Sequence, residues 1–299
     1  VDFVGPDFGE GGSKWNNTVA SSGGACMWGI PRDARQLLKI EFQAGSVQPL
    51  VSLAGEELPP DSKWSGGALA KDGRIWMVPC QLDHAAILDV ASSKVQLIGD
   101  APLEGSGQAY RWCDAVADPV GHCVLGIPYN ASRVLALDVE LESAELVGAD
   151  LNFGTHLAMK YGGACYVNDG LIYAFPANAS RVLRIKPPRP TLSYVGEPVK
   201  EVKRSMRGGM MCFDRERRHL YMAPVCGSSF HRFDVESGQN TPIGHEFPSG
   251  GMKYFGMALG GDDKLYAAPM NCPRLVRIKP GDGDSLEEVG EDHGSGQFN

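Results

Sequence analysis

The sequence lacks an excess of basic residues and any long apolar run. Its 28 Lys and Arg residues are outnumbered by 36 Asp and Glu residues, which gives a formal net charge of −8. Proteins that bind nucleic acids usually carry a basic surface, so this composition excludes nucleic acid as the expected partner. No stretch approaches the roughly 18 consecutive apolar residues of a membrane-spanning helix, so we expect no transmembrane segment.

The common motifs of metal and nucleophile chemistry are also missing. None of the eight cysteines forms a C-x-x-C pair, so a zinc or thioredoxin-like site is not expected. Buried free thiols are the first interpretation of these cysteines, and disulfide pairing is the alternative. The seven histidines form neither H-x-H nor H-E-x-x-H, and there is no G-x-S-x-G elbow.

What the sequence does contain is one unit repeated six times. A basic-aromatic pair such as Lys63-Trp64 is followed by small residues, an Asp-Gly turn such as Asp72-Gly73, and a short apolar run that ends at proline. Two more apolar strands follow before the next copy. The prolines are spaced 48, 49, 48, 48 and 45 residues apart: Pro31, Pro79, Pro128, Pro176, Pro224 and Pro269. Because proline has no backbone donor, it ends strand pairing.

Four short strands in a repeat of 40–50 residues are typical of propeller blades. We therefore predict an all-β fold: a β-propeller of six four-stranded blades, with seven blades as the alternative. A single domain should cover residues 1–299, and residues 1–8 should form a spare outer strand. The predicted blades are approximately 12–56, 61–102, 109–151, 158–198, 203–247 and 251–292.

The repeat resembles one that is common in proteins of unicellular algae and related protists. That repeat reads K-[WY]-x-G-G, D-G-x-I-Y, P-x-N-A and V-L-x-I-D, and the matching segments include Asp169–Tyr173 and Pro176–Leu183. The resemblance covers nearly the whole chain and departs from the pattern at Pro79–Leu82 and Pro224–Gly227. It implies a propeller and says almost nothing of activity, so no catalytic residue is carried over.

One basic residue precedes the first strand in five of the repeats. These cations could form a positive ring at one mouth of the propeller channel and bind an anion. Alternatively, each pairs with a recurring acid such as Asp100 or Glu197, which would be a structural role. The five cations are Lys14, Lys63, Arg111, Lys160 and Lys253.

Polar residues on the first strands are candidates for a site on the channel axis. Asp114 stands where the other repeats have Gly or Ala, and it could ligate a metal, with calcium as the candidate ion. Asn16, Asn17 and Asn168 are the nearest candidate oxygen donors by position. The alternative for Asp114 is hydrogen bonding to backbone amides or water, and no cofactor at all.

Three asparagines head N-x-[ST] sequons. Asn16, Asn130 and Asn178 would be glycan acceptors if the protein is secreted. Asn130 and Asn178 occupy the same repeat position, which also fits turn residues that tolerate a left-handed backbone. Because the sequence begins at Val1, we expect a processed chain in an organellar lumen or outside the cell.

The hairpin of the fifth repeat differs from the others in length and charge. It reads Asp214–His219, and its Arg215, Arg217, Arg218 and His219 are the predicted contacts for a partner protein. Since catalytic-type residues do not converge, we expect a non-enzymatic interaction module or structural subunit of a larger assembly. The alternative is a six-bladed, calcium-dependent, lactonase-like hydrolase.

Overall fold

The computed structural model contains 24 β-strands in the part of the chain that it describes. They form six four-stranded antiparallel sheets, and in each sheet the strands lie in chain order. Three sheets belong to one compact unit and three to another. The described residues are 5–9, 13–42, 50–59, 63–99, 103, 110–118, 120–151, 159–167, 170–196, 208–214, 219–248, 251–281 and 283–292.

Sheets 1 to 3 belong to the unit formed by Asp2–His156 and Pro187–Pro190. Sheet 1 contains β1 (Trp15–Ala20), β2 (Cys26–Pro31), β3 (Leu37–Glu41) and β4 (Leu50–Ala54), with a 3-10 turn at Ser22–Gly24. Sheet 2 contains β5 (Trp64–Leu69), β6 (Ile75–Pro79), β7 (Ala85–Asp89) and β8 (Lys94–Ile98). Sheet 3 contains β9 (Trp112–Ala117), β10 (Cys123–Pro128), β11 (Val134–Asp138) and β12 (Ser143–Val147).

Sheets 4 to 6 belong to the unit formed by Leu157–Lys186, Thr191–Asn299 and Val1. Sheet 4 contains β13 (Tyr161–Tyr166), β14 (Ile172–Pro176), β15 (Val182–Lys186) and β16 (Thr191–Val195). Sheet 5 contains β17 (Gly208–Asp214), β18 (His219–Pro224), β19 (Phe230–Asp234) and β20 (Asn240–Ile243). Sheet 6 contains β21 (Tyr254–Leu259), β22 (Leu265–Pro269), β23 (Leu275–Lys279) and β24 (Ser285–Val289).

Each repeat proline is the last residue of the second strand of its sheet, which confirms the prediction of six four-stranded blades. The chain turns at these prolines because the ladder loses a donor there. The predicted Asp-Gly hairpin is also present between β5 and β6. Gly73 has φ +78°, a conformation that glycine adopts without strain, and the Ala70 N–H donates to the Arg74 carbonyl at 3.0 Å.

The core of the first unit lies between the faces of consecutive sheets. Side chains alternate between the two faces of a strand, so β6 contributes to both interfaces of sheet 2. Ile75 packs with Trp28 of sheet 1, whereas Trp76 packs with Val124 of sheet 3. All four side chains are fully buried. The long apolar strands of the repeat are therefore explained by sheets that are covered on both faces.

The second unit has the same arrangement with more tyrosine and phenylalanine. Tyr173 of sheet 4 packs with Phe233 of sheet 5, and Tyr221 of sheet 5 packs with Val276 of sheet 6. Aromatic side chains bury large areas, so a few of them fill each interface between sheets.

Two expectations fall partly outside the described residues. Of the predicted spare strand at residues 1–8, residues 1–4 are outside the description, and Gly5–Phe8 belong to no strand. The description of the fifth hairpin omits residues 215–218. Across the described ranges, no helix has the length and apolar character needed to cross a membrane.

Candidate functional site

The recurring cations are buried rather than exposed. Lys63, Arg111, Lys160 and Lys253 are at most 4% exposed, and Lys14 is half-buried. Burial of an ionic group is costly unless polar atoms surround it. The contacts that these cations make therefore indicate what they do.

The contacts of Arg111 and Lys253 follow one pattern. The Lys253 ammonium donates to the Gly227 carbonyl at 2.7 Å. The Arg111 guanidinium donates to the Leu82 carbonyl and lies 3.6 Å from a carboxylate oxygen of Asp83. Leu82 and Gly227 are each the third residue after the repeat proline of the preceding sheet. Each cation therefore ties its own sheet to the turn of the sheet before it.

The main chain places these cations in the same way in both units. For Lys63, Arg111 and Lys253, the backbone N–H donates to the carbonyl of the residue that follows the repeat proline of the preceding sheet. The bonds are Lys63 to Arg32 at 2.9 Å, Arg111 to Cys80 at 3.1 Å and Lys253 to Val225 at 2.8 Å. Burial lowers the pKa of Lys253 and of Arg111, since the charged form loses hydration. The carbonyl contacts offset part of that cost.

Asp114 and Asn17, both singled out from the sequence, lie together in the first unit. Asp114 is on β9 and is 5% exposed, and its Oδ1 accepts hydrogen bonds from Asn17 Nδ2 at 3.2 Å and from the Ala115 N–H at 2.9 Å. Asn17 Oδ1 accepts the N–H of Thr18 at 2.7 Å, which turns the amide nitrogen towards Asp114. The pair thus joins the first strands of sheets 1 and 3.

Asn17 meets Asp114 as a hydrogen-bond donor and not as a further oxygen ligand for a calcium ion. Calcium takes six to eight oxygen ligands, whereas Asn17 presents its amide nitrogen to the carboxylate. Asn168 lies outside the described residues. Among the residues that are described, no group of three His, Cys, Asp or Glu side chains comes close enough together to hold a metal.

The buried thiols and one buried imidazole have environments unsuited to nucleophilic or base chemistry. All eight cysteines are free thiols. Burial raises the pKa of Cys80 and that of Cys113, and raises the pKa of Cys123 to about 12. These thiols stay protonated and are poor nucleophiles near neutral pH. Burial also lowers the pKa of His231, which is therefore neutral in the same range.

Of the four predicted partner contacts in the fifth hairpin, the structure describes His219. Its imidazole Nε2 lies 3.4 Å from a carboxylate oxygen of Asp234, and its ring meets Tyr221 edge to face at 6.5 Å. Arg215, Arg217 and Arg218 lie outside the described residues. Binding of a partner protein by this hairpin therefore stays a prediction.

The three sequon asparagines have different surroundings. The Asn16 amide nitrogen donates to the Ser65 carbonyl of sheet 2 at 2.5 Å, so a glycan on that nitrogen would replace a contact between sheets. Asn130 and Asn178 lie half-buried in the turns that follow β10 and β14. Their backbone N–H groups donate to carbonyls of Tyr110 and Met159, respectively.

Sequence reasoning missed a surface cluster on the first unit, which we call the Arg32–Tyr110 cluster: Arg32, Tyr110 and Tyr129. The Arg32 guanidinium lies 4.7 Å from the Tyr110 ring centroid and donates to its hydroxyl. The ring of Tyr129 meets that of Tyr110 at 6.5 Å and 61°. Arg32 and Tyr129 both follow a repeat proline, where sheets 4 to 6 have Ala177, Val225 and Met270. This departure from the repeat is the sequence signal that could have identified Arg32 and Tyr129.

A second missed feature joins sheets 5 and 6. Asp284, whose side chain is 4% exposed, accepts a hydrogen bond from the Tyr221 hydroxyl at 2.9 Å and from Arg232 at 2.8 Å. The Gly281 N–H donates to the same carboxylate at 3.0 Å. The carboxylate accepts three hydrogen bonds from its own chain, so its geometry favours a structural role.

The comparisons with known proteins concern the fold. No protein-family model matches the sequence, and no curated protein matches it. Virginiamycin B lyase from Staphylococcus aureus is similar with a TM-score of 0.70 and 12% identity, over 93% of this chain and 85% of that chain. Streptogramin B lyase is similar with a TM-score of 0.69 and 14% identity, over 94% and 85%.

A third similar structure is a candidate 6-phosphogluconolactonase from Bacteroides uniformis. Its TM-score is 0.68 with 13% identity, over 93% of this chain and 85% of that chain. At such identities the likeness establishes architecture alone. Together with the six meander sheets, it shows that this chain is an all-β β-propeller with six four-stranded blades.

Proposed function

We propose that this chain is a non-enzymatic β-propeller that binds other proteins as a subunit of a larger assembly. The observation that carries the proposal is the Arg32–Tyr110 cluster, in which blade-specific residues meet at the surface while four of the recurring cations are buried. Arginine and tyrosine are enriched at the energetic centres of protein interfaces. Tyr110 is 38% exposed, so its ring is accessible to a partner.

The repeat pattern supports the same proposal. Residues that recur in all blades serve the scaffold, whereas a binding site is grafted on the positions that differ. The Arg32–Tyr110 cluster and the hairpin with Arg215, Arg217 and Arg218 are two such departures. We also propose, from the motifs, that the repeat belongs to the algal and protist propeller repeats.

The test compares partner retention by variants of the tagged chain, expressed at native level in its source. The double variant Arg32→Ala with Tyr110→Ala should lose about tenfold or more of the specific partner, since truncating interface centres costs roughly 2 kcal/mol or more. Arg35→Ala is the matched control, because Arg35 lies in the same turn and its side chain is 60% exposed. Equal retention by the double variant and the control would contradict the cluster as the binding site.

The fifth hairpin is tested separately. Replacing Arg215, Arg217 and Arg218 by Ala should slow association with the same partner and reduce its salt dependence, because rim charges act mainly on the association rate. Unchanged association kinetics at low salt would remove this hairpin from the interface.

The alternative is a hydrolase that uses the Asp114–Asn17 pair. The pair is buried on first strands, where a substrate in the channel would meet it, and this is the observation in its favour. Assays of lactone and ester hydrolysis with and without calcium discriminate between the two functions. Turnover that Asp114→Asn abolishes, in a variant with unchanged circular dichroism, would replace the binding proposal by the enzymatic one.

A further inference from the structure

The guanidinium of Arg32 has more hydrogen-bond donors than the described part of the chain satisfies. A guanidinium carries five N–H groups. One of those of Arg32 donates to the Tyr110 hydroxyl, whereas its Nε is buried and has no hydrogen-bond partner among the described residues. An oxygen of the Asp33 carboxylate lies 4.0 Å from Nε, beyond the reach of a hydrogen bond. The Arg32 side chain is 17% exposed, so the guanidinium can donate to a group from outside the chain.

The backbone holds Arg32 and Tyr110 in place. The N–H of Arg32 donates to the Lys14 carbonyl at 2.9 Å, and the Arg32 carbonyl accepts the N–H of Lys63 at 2.9 Å. Tyr110 has φ +56°, a rarely populated conformation for a bulky residue, and its carbonyl accepts the N–H of Asn130 at 3.1 Å. Such strain persists where the surrounding structure imposes it, and it clusters at binding sites. The ring and the guanidinium are therefore oriented before a partner arrives, which lowers the entropic cost of binding.

A second guanidinium lies close to the first. Arg111 is fully buried, its Nε has no hydrogen-bond partner among the described residues, and its charge lies 3.6 Å from Asp83. Burial raises the pKa of the Cys80 thiol, while the charges of Arg32 and Arg111 act in the opposite direction, so both guanidiniums lie near this thiol. The thiol stays protonated near neutral pH and balances neither charge.

Cations exceed acids around Cys80 in the described part of the chain. The Cys80 N–H donates to the Lys63 carbonyl at 2.8 Å, and the Cys80 carbonyl accepts the N–H of Arg111 at 3.1 Å. The charged groups that these contacts bring together are three cations and two acids: Arg32, Lys63, Arg111, Asp33 and Asp83. The described groups thus leave one positive charge unbalanced, in a chain whose net charge is −8. One carboxylate would neutralise that charge, whereas a doubly charged phosphate would exceed it.

We propose that the partner protein of the proposed function, on which this inference rests, places the carboxylate of an Asp or Glu side chain against the Arg32 guanidinium. The carboxylate accepts hydrogen bonds from the guanidinium, and the partner residues beside it pack on the exposed part of the Tyr110 ring. Arginine suits this contact because its planar N–H groups match the two oxygens of a carboxylate. The groups that form the site all belong to the first compact unit, in which sheet 2 lies between sheets 1 and 3.

The test adds a zero-length cross-link to the retention experiment with the full-length tagged chain. A water-soluble carbodiimide joins an amine to a carboxylate that touches it. In the Arg32→Lys variant, the amine at position 32 should become joined to an Asp or Glu of the retained partner, and mass spectrometry of the cross-linked peptides identifies both ends. Arg35→Lys is the matched control. Because Arg35 contacts Glu57 at 2.7 Å, the amine of that variant should become joined to Glu57 of the same chain.

Retention of the partner measures the contribution of the charge. Arg32→Gln should retain about tenfold less of the partner than Arg32→Lys, because only the lysine variant keeps a charge-assisted contact with a carboxylate. Equal losses in the two variants would overturn the carboxylate contact. Phosphatase treatment of the partner should leave retention unchanged. A loss after that treatment would make a phosphorylated side chain the ligand, against the carboxylate proposed here.

The same variants distinguish a failure of the carboxylate contact from a failure of the proposed function. Suppose that Arg32→Ala with Tyr110→Ala loses the partner, but the amine at position 32 is joined to its own chain, or to nothing while Arg35→Lys reacts with Glu57. The proposed function then stands and the carboxylate contact is wrong. If the double variant retains the partner as well as Arg35→Ala does, the cluster is not the binding site and both proposals are wrong.

Discussion

The hydroxyl of Tyr221 donates a 2.9 Å hydrogen bond to Asp284, which lies 63 residues further along the chain. Arg232 binds the other oxygen of that carboxylate at 2.8 Å. Tyr221 is fully buried, so the contact joins sheets 5 and 6 in the interior of their interface. A polar contact of this kind adds orientation to an interface that apolar packing alone would hold less specifically.

We expect Asp284→Asn to destabilise the protein by about 1–2 kcal/mol. The change keeps the shape but leaves Arg232 without its counter-charge; the partial exposure of Arg232 limits the cost. Urea unfolding monitored by fluorescence measures the effect. Asp262→Asn is the matched control, since exposed Asp262 also accepts a tyrosine hydroxyl, and it should destabilise the protein clearly less than Asp284→Asn does. Equal losses in both variants would contradict a special role for Asp284.

We expect Gly66→Ala to cost about 2 kcal/mol or more, whereas Gly256→Ala should be nearly neutral. The added methyl group at position 66 would meet backbone atoms at 2.8 Å, and backbone cannot move aside as a flexible side chain can. At position 256 the nearest atom is 3.9 Å away. Thermal unfolding of the two variants checks this, and a loss of stability for Gly256→Ala as large as that for Gly66→Ala would contradict the prediction.

Lys253→Met should destabilise the chain by about 1–3 kcal/mol, because the Gly227 carbonyl loses its donor in a buried site. Methionine nearly preserves the volume of the side chain, so the loss reports the hydrogen bond rather than a cavity. Lys279→Met, an exposed position at the end of β23, is the control and should change stability by less than about 0.5 kcal/mol. A neutral Lys253→Met variant would mean that the buried cation does not hold the two sheets together.

Stability should fall as the pH rises above about 10. Burial raises the pKa of Tyr161, of Tyr221 and of Tyr254 in the folded chain, while the unfolded chain keeps the ordinary value near 10. Below that pH, the folded and the unfolded chain both hold these protons, so the contribution of the tyrosines to the free energy of unfolding is fully present. Above that pH, the unfolded chain loses protons that the folded chain retains. The free energy of unfolding then falls by about 1.4 kcal/mol per pH unit for each tyrosine.

Urea midpoints between pH 8 and 11, together with tyrosinate absorbance, measure this effect. Tyr161→Phe should make the fall of stability with pH shallower, because the folded chain then retains one proton fewer relative to the unfolded chain. Ionisation of all tyrosines near pH 10 in the still-folded chain would refute the prediction.

The strand pattern was predictable because it depends on local chemistry. A proline ends each second strand, and Asp72-Gly73 closes a hairpin whose geometry requires glycine at positive φ. The sequence shows that the cations recur, but it does not show which groups they contact. The ammonium group of Lys253 reaches a carbonyl of Gly227, and neither the partner type nor the distance along the chain follows from the repeat. Arg32 and Tyr110 were overlooked for the same reason, since they come from sheets 1 and 3.

By itself, the sequence determined the number of sheets, the order of their strands and the positions where strands end, because these follow from side-chain alternation and turn chemistry within about 48 residues. Only the tertiary structure decided which polar groups pair between sheets. Asp284 accepts hydrogen bonds from Tyr221 and Arg232 of the preceding sheet, whereas Asp262 accepts one from Tyr266, four residues away in its own sheet. Contacts between sheets join residues that are far apart along the chain, and a repeating sequence does not show which of its copies make them.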